Sequence, residues 1–286
     1  MTARAIGTAV ALLALLAGCG SQPPSPGVDT PAVEDLAGFG AAAPTAAPAP
    51  TAATARPTAA ATPKPRTPST RPTRSASPKP PANAASRLRT LPGGARQVVV
   101  VSANGYGTSH ATLETFAKKD GVWRPALGAM PARLGTNGFT DSKVEGDLET
   151  PTGMYGFGPT MYGIAADPGV RYPYHRLVAD DWWNENPATP GYNTFQHGPD
   201  PGGASEALWK VTPQYDHFAV ITYNMPVKVA DPPRGSGIFL HVMVPGRSTA
   251  GCVSLAEADL LRVLRWLDPA ARPRIVLAPA AELDRY

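Results

Sequence analysis

The chain has 286 residues, 43% of them apolar, and this length suits one sizeable domain or two small ones. Aromatic side chains, which supply much of a core's buried area, are nearly confined to residues 100–286, because Phe39 is the one aromatic residue before position 100. Residues 20–92 hold eight Lys or Arg and three Asp or Glu, whereas residues 93–286 hold 17 and 19, so the foldable part has no basic excess and nucleic-acid binding is not expected.

The N-terminus has the pattern of an export signal. Arg4 precedes an apolar run over residues 5–16, which is too short to span a bilayer comfortably. The run ends in Leu16-Ala17-Gly18-Cys19, which resembles the lipobox of bacterial lipoproteins, where the cysteine is acylated. We predict a signal peptide over residues 1–18 and a lipid on Cys19. The alternative is an ordinary signal peptide that happens to contain a cysteine, and the protein would then be secreted free.

Residues 19–92 are predicted to form a disordered tether rich in Pro, Ala and Thr. Sixteen of the 34 prolines fall between residues 20 and 92, and a segment almost without aromatic residues cannot bury enough surface to offset its chain entropy. Repeated X-Pro pairs favour extended polyproline segments. The tether therefore allows the domain to work away from its anchor.

The domain, residues 93–286, shows short β-type runs between turn signals and is predicted to be mainly β. The predicted strands cover residues 97–101, 110–116, 122–123, 218–223, 237–244 and 274–277. Residues 125–213 are rich in Gly, Pro and aromatics without a regular period, and we predict loops that line a groove.

One helix is predicted near the C-terminus. Ser254 and Glu257 have the spacing of a capping box, and Asp268-Pro269 ends the pattern. The apolar face between them consists of Leu260, Leu261, Val263, Leu264 and Leu267. This places Cys252 two residues before the predicted helix cap.

Cys252 is a candidate nucleophile. If Cys19 carries a lipid, an exported chain has no second cysteine with which Cys252 could form a disulfide. The positive end of the predicted helix would favour its thiolate, and the N–H groups of Gly251 and Cys252 could bind an oxyanion. The alternative is a small buried apolar residue, as most free cysteines are.

A thiolate nucleophile needs a base. His241 lies in a predicted strand, and Pro245-Gly246 turns the chain between it and Cys252. His217, just before another strand, is a second candidate, and His241 could instead be a core histidine. The remaining histidines, His110, His175 and His197, are expected at the surface or in the groove.

Two segments together resemble the catalytic signature of YkuD-type L,D-transpeptidases. They are residues 235–241, which end at His241, and Ser248-Thr-Ala-Gly-Cys252-Val-Ser-Leu255; residues 144–147 and 150–153 and the pair Tyr223-Asn224 look like further family segments. The resemblance implies a β-sandwich or barrel with one prominent helix after the cysteine. It also implies Cys as nucleophile and His as base.

The same resemblance implies a substrate class. The family forms a thioester acyl-enzyme with a peptidoglycan stem peptide at the bond from meso-diaminopimelate to D-alanine, and then passes it to an amine. No metal or organic cofactor is implied. The expected partners are stem peptides and, through the anchor on Cys19, the cell membrane. The protein is expected to be exported and lipid-anchored to the cell membrane, facing the cell wall.

The sequence departs from the family pattern at two positions. Ala250 replaces the usual His before Gly-Cys, and Ser254 replaces an Arg common two residues after the Cys. The acyl acceptor therefore stays open between an amine and water, as in an L,D-carboxypeptidase. A non-catalytic wall-binding lipoprotein is the alternative of another class.

Further candidates for the substrate groove are less specific. Asp180-Asp181 and Glu145-Gly-Asp147 are interpreted as turns, the first solvated and the second in preference to a metal site. Tyr192 could stack on substrate or serve as a loop anchor. The groove candidates are Thr249, Ala250, Tyr223, Asn224, His217, Trp182 and Trp183.

Overall fold

A computed structural model describes residues 82–286. The predicted signal peptide, Cys19 and the tether up to residue 81 lie outside the described residues. The strands are β1 (Gln97–Ala103), β2 (His110–Lys119), β3 (Val122–Arg133), β4 (Phe139–Thr140), β5 (Thr150–Pro151), β6 (Gly153–Tyr155), β7 (Phe157–Gly163), β8 (Tyr174–Arg176), β9 (Asp181–Asn184), β10 (Thr194–His197), β11 (Glu206–Ala207), β12 (Phe218–Ile221), β13 (Phe239–Val242), β14 (Val253–Leu255) and β15 (Arg274–Pro279). The α-helices are α1 (Ala84–Arg87) and α2 (Glu257–Trp266), and 3-10 turns cover Leu208–Lys210, Pro269–Ala271 and Ala280–Arg285.

Ten strands form one curled sheet, a half-barrel, in the order β6-β15-β1-β2-β3-β14-β13-β12-β7-β8. Sheets this large curl because each strand pair adds right-handed twist. Smaller sheets, β10-β9-β11 and β4-β5, complete the architecture. The predicted mainly β class with one prominent helix after Cys252 is confirmed, and each predicted strand overlaps an observed one.

The two faces of the central strands have different partners. Leu240 and Val242 of β13 share an aliphatic cluster with Leu260 and Val263 of α2. Phe239 points the other way, into a second cluster that contains several aromatic rings and Cys252. Since side chains alternate along a strand, β13 packs against α2 with one face and holds Phe239 in the cluster of Cys252 with the other.

The predicted start of the helix is wrong. Ser254 lies in β14, where it pairs with His241 and Arg133, and it is 1% exposed. The helix begins at Glu257 with Ala256 as its cap, without a side-chain capping bond. Strand pairing on both sides of β14 overrides the local capping pattern. Cys252 therefore precedes a strand, and the helix-dipole argument for its thiolate fails because that effect falls off within the first turn.

Two further boundaries differ from the predictions. Residues 125–213 contain strands β4–β11 and most of β3, so they are not simply loops. The domain also begins before residue 93, because α1 packs its buried Ala85 with Leu88 and Leu91 against the sheet, and Arg87 Nε donates to Asp284 at 2.9 Å. Among residues 82–286, no helix is long and apolar enough to cross a bilayer.

Candidate active site

Neighbouring strands bring Cys252 and His241 to the same face of the sheet. Strands β13 and β14 run parallel, with Leu240 beside Val253 and His241 beside Ser254. Cys252 precedes the first of these pairs and faces Phe239, whose N–H contacts its Sγ at 3.4 Å. Phe239 and His241 are two residues apart and so point to one side. The thiol and the imidazole therefore become diagonal neighbours across adjacent strands.

The thiol of Cys252 is buried and held by backbone. It is 0% exposed and lies in the aromatic cluster beneath β13. Its S–H donates to the carbonyl oxygen of Gly237 at 3.2 Å. A thiol that donates in this way has to lose its proton to a base before its sulfur can attack a carbonyl carbon.

His241 has the ionisation state of such a base. Its Nδ1–H donates to the Val242 carbonyl oxygen at 2.8 Å, which leaves the lone pair on Nε2. Nε2 is buried and makes no hydrogen bond within residues 82–286. Burial lowers the pKa of His241 to about 4, against the opposing effects of the Val242 carbonyl and of Glu206. At neutral pH the ring is therefore uncharged and able to accept a proton.

A tyrosine and a glutamate lie behind the imidazole. The ring of Tyr215 meets that of His241 edge to face at 5.9 Å between centroids. The Tyr215 hydroxyl donates to Glu206, which is 8% exposed. The carboxylate of Glu206 raises the pKa of His241, so it favours the imidazolium that forms when the thiol gives up its proton.

The turn before Cys252 is organised by Thr249. Its hydroxyl donates to the Cys252 carbonyl oxygen at 2.7 Å and accepts from the Gly251 N–H at 3.1 Å. The predicted oxyanion donor on Gly251 is therefore occupied in the resting structure, and a substrate oxygen would have to compete with Thr249. Gly251 has a φ of 150°, and a Cβ there would lie 2.9 Å from the Glu149 carbonyl oxygen, so this position requires glycine.

A small cavity of about 20 Å³ adjoins the thiol, which is room for about one water molecule. Its polar walls are unusual because they include three glutamates and one lysine. The lining residues include Lys143, Glu145, Glu185, Glu206, Ser236, Gly237, Ala250, Gly251 and Cys252. A peptide cannot reach the thiol through a space of this size, so substrate entry requires movement of the lining residues.

A larger groove of about 520 Å³ lies next to this cavity. Tyr223 and Asn224, both predicted groove residues, line it, and Lys143 lines both spaces. Asn224 also shapes the groove wall, because its side chain donates to the Gly235 carbonyl oxygen at 3.0 Å and accepts from the Lys228 N–H at 2.9 Å. The volume of the groove lies within the range of pockets that bind small ligands.

Several predicted groove residues lie elsewhere. Trp183 is 2% exposed and packs edge to face on Phe239 at 5.0 Å between ring centroids, so it belongs to the core beneath the thiol. Trp182 is half-buried against Trp209 and lines neither space. His217 is buried and bonded to Tyr174 at 3.0 Å. These side chains are apolar or locally satisfied, and packing explains their placement better than substrate contact does.

His217, the second candidate base, lies away from the thiol. Burial lowers its pKa, and the charges that act on it are chiefly those of Glu257, Asp216 and Arg265, two of which are on α2. Its neighbour Phe218 points into the cluster that contains Cys252, so His217 points to the opposite face of β12. The structure therefore separates His217 from the thiol and brings His241 to it.

The prediction that Asp181 lies in a solvated turn is wrong. Asp181 is 0% exposed and accepts from His175 Nε2 at 2.8 Å, His197 Nδ1 at 2.9 Å and the Val178 N–H at 2.8 Å. Burial alone would raise its pKa, but these three donors lower it below the ordinary value. The two histidines are thus fixed to a structural carboxylate. His110, by contrast, is exposed beside Arg133.

Sequence reasoning missed the charged residues around the thiol. Lys143, Glu185 and Glu206 lie in segments without a regular period, and no spacing marks them as partners of Cys252. Glu145 and Asp147 were assigned to a turn, which the structure confirms, but their roles come from its packing. Within the described chain there is no cluster of three or more His, Cys, Asp or Glu arranged to hold a metal ion.

The fold defines a mainly β domain, a half-barrel whose central strands place Cys252 and His241 on one face. Residues 96–276 match the YkuD family, the L,D-transpeptidase catalytic domain. This match spans more than half of the chain, and the protein belongs to that family. The resemblance recognised in the sequence is thereby confirmed for the domain.

Two solved structures are similar to the chain at low identity. Bd1075 of Bdellovibrio bacteriovorus has 15% identity over 67% of this chain and 52% of that chain, with a TM-score of 0.34. The helical cell shape determining protein Pgp2 of Campylobacter jejuni has 16% identity over 64% of this chain and 46% of that chain, with a TM-score of 0.33. The chain thus spans about half the length of each. No curated protein matches it.

Proposed function

We propose that the protein is a peptidoglycan-modifying cysteine acyltransferase, in which Cys252 forms a thioester with a stem peptide and passes the acyl group to an amine. The observation that carries the proposal is the position of His241. Its Nε2 is buried without a hydrogen bond in the described chain, and the neighbouring strand β14 follows directly on Cys252. Membership of the L,D-transpeptidase catalytic family supports the substrate class.

The reaction divides into two acyl transfers. His241 Nε2 takes the thiol proton as Sγ of Cys252 bonds to the carbonyl carbon of the donor. The C–N bond then breaks, His241 returns the proton to the leaving amine, and a thioester remains. In the second transfer an acceptor amine attacks the thioester, gives its proton to His241 and releases Cys252, which recovers the proton. The Glu206 carboxylate favours the transient imidazolium.

Hydrolysis of the same thioester is the second candidate. The observation in its favour is the cavity beside Cys252, which is large enough for about one water molecule. Ala250 lines this cavity at the position where the family usually has a histidine. Water in place of the amine would yield a shortened stem peptide and make the protein an L,D-carboxypeptidase.

One incubation tests both proposals. The purified protein is mixed with a disaccharide-tetrapeptide, and the products are read by mass. Cross-linked dimers indicate transfer, and shortened monomers indicate hydrolysis. Cys252→Ala should abolish either product; wall binding and full biological function in that variant, without any product from wild type, would instead favour a non-catalytic wall-binding lipoprotein.

We also propose export and anchoring through a lipid on Cys19, on the basis of the apolar run and the Leu-Ala-Gly-Cys motif. The anchored domain would face the cell wall. The test is the fate of Cys19→Ala in a bacterial host. Release of this variant from the membrane fraction, together with loss of the lipid mass from the N-terminal peptide, supports the proposal, and unchanged membrane retention contradicts it.

A further inference from the structure

Lys143 lies where the open groove meets the cavity of the nucleophile. It lines both spaces, and its side chain is only 4% exposed. Its aliphatic carbons pass close to two glycines: a Cβ at Gly251 would lie 3.5 Å from Lys143 Cε, and one at Gly235 would lie 3.3 Å from it. The missing side chains of Gly235 and Gly251 thus leave room for Lys143 beside the residue that precedes Cys252.

Asp147 holds the ammonium group of Lys143 but does not depend on it. The two form a largely buried ion pair, and Lys143 Nζ also donates to the Val144 carbonyl oxygen at 3.0 Å. Asp147 accepts from the Val144 N–H at 2.8 Å and from the Glu149 N–H at 2.9 Å, one on each oxygen. If the ammonium turned to another anion, the carboxylate would keep both backbone donors and the loop would keep its hydrogen bonds.

The two spaces differ in charge. Glu145, Glu185 and Glu206 line the cavity beside the thiol, which disfavours an anion there. The charged side chains of the groove are Lys143, Lys228, Arg234, Asp141 and Asp231, an excess of one positive charge. Lys143 is the cation that lines both spaces, so an anionic group of a substrate approaching Cys252 through the groove meets it last.

We propose that Lys143 binds the C-terminal carboxylate of the donor peptide, and that Asp147 pairs with the Lys143 ammonium when no donor is bound. This inference rests on the proposed function. In a donor that loses its last residue, the carboxylate lies one residue from the attacked carbonyl, roughly 4 Å along the chain. A carboxylate on Lys143 therefore positions the scissile bond near Cys252. Exchange of one carboxylate for another avoids a buried unpaired ammonium, which would be costly.

The test compares tetrapeptide donors that end in a carboxylate or in a carboxamide. Wild type should use the carboxylate donor with a kcat/KM at least about tenfold higher, the ratio expected when a charge-assisted bond is lost. Lys143→Met should reduce this ratio to about one, and Lys143→Arg should restore part of it. Lys143→Met combined with Asp147→Asn removes both charges and keeps the site neutral, in case the single variant folds poorly.

Selectivity between the donors separates substrate recognition from a structural role, because a structural defect lowers the rates of both donors equally. Lys210→Met, an exposed lysine that lines neither space, is the matched control and should keep the wild-type ratio. An unchanged preference in the double variant overturns the assignment of Lys143 while acylation of Cys252 continues. Absence of acylation by either donor in wild type overturns the proposed function as well.

Discussion

Lowering the pH from 7 to 4 is expected to cost the folded protein about 3 kcal/mol through His241 alone. Burial lowers the pKa of His241 from 6.5 to about 4, because the imidazolium would lose its hydration among aromatic rings. In the unfolded chain the ring binds its proton near pH 6.5. Between these two values the unfolded state holds more protons, so the stability present above pH 6.5 is lost as the pH falls towards 4.

Urea unfolding of wild type and His241→Gln at several pH values measures this contribution. The wild type should lose about 2 kcal/mol more than the variant by pH 5 and about 3 kcal/mol more by pH 4. His217, whose pKa is also lowered by burial, titrates in both proteins and cancels in the comparison. Equal pH dependence of the two proteins would refute the assignment of a buried, neutral imidazole.

Three further predictions concern two residues beside Cys252 and the start of the domain. Gly237→Ala should destabilise the protein by more than about 1 kcal/mol, because φ is 60° and the new Cβ would lie 2.0 Å from Oε1 of the buried Glu185, whose carboxylate has to turn away. Gly146→Ala is the control: φ is 77° and no atom lies within 4 Å of the new Cβ, so this variant should lose only about 1 kcal/mol of stability. Equal urea midpoints of the two variants would contradict a clash at Gly237. Thr249→Val should lower stability by about 1–3 kcal/mol and slow acylation, and Thr249→Ser should restore both; a normal acylation rate in Thr249→Val would contradict its role in shaping the turn. Removal of residues 82–92 should lower the melting temperature, since apolar α1 contacts are lost, and an unchanged melting temperature would place the domain boundary at residue 93 after all.

The sequence was sufficient for the mainly β class and for the family. The pair Cys252 and His241 stays a prediction, which the strand register supports. Alternation in the strands and the Cys and His motifs are local patterns, and β13 and β14 turn them into neighbours through their parallel register. The unpartnered Nε2 of His241 follows from that register and from the local bond to Val242.

The sequence failed where tertiary pairing decides. Ser254 and Glu257 match a capping box, but Ser254 pairs with β3 and β13 as part of a central strand, so the helix starts later. The same competition removes the helix dipole as an activator of Cys252. In the proposed mechanism His241 takes the thiol proton instead, and the carboxylate of Glu206 favours the imidazolium that forms.

Local sequence patterns also could not predict which distant charged residues lie beside Cys252. Lys143, Glu185 and Glu206 come from segments that are distant in the sequence and converge beside Cys252. Trp183 shows the converse, because an aromatic residue in a Gly- and Pro-rich segment suggested a stacking surface and proved to be core. Neither outcome has a signature in residue spacing.

Intact-mass analysis of the protein with a stem tetrapeptide, or with a carbapenem as an acylating agent, tests the central claim most directly. We expect an adduct that peptide mapping places on Cys252, and its loss in Cys252→Ala. The His241→Gln variant should form the same adduct much more slowly at pH 7. Absence of an adduct on wild type, or an undiminished adduct on Cys252→Ala, would contradict the assignment of Cys252 as the nucleophile.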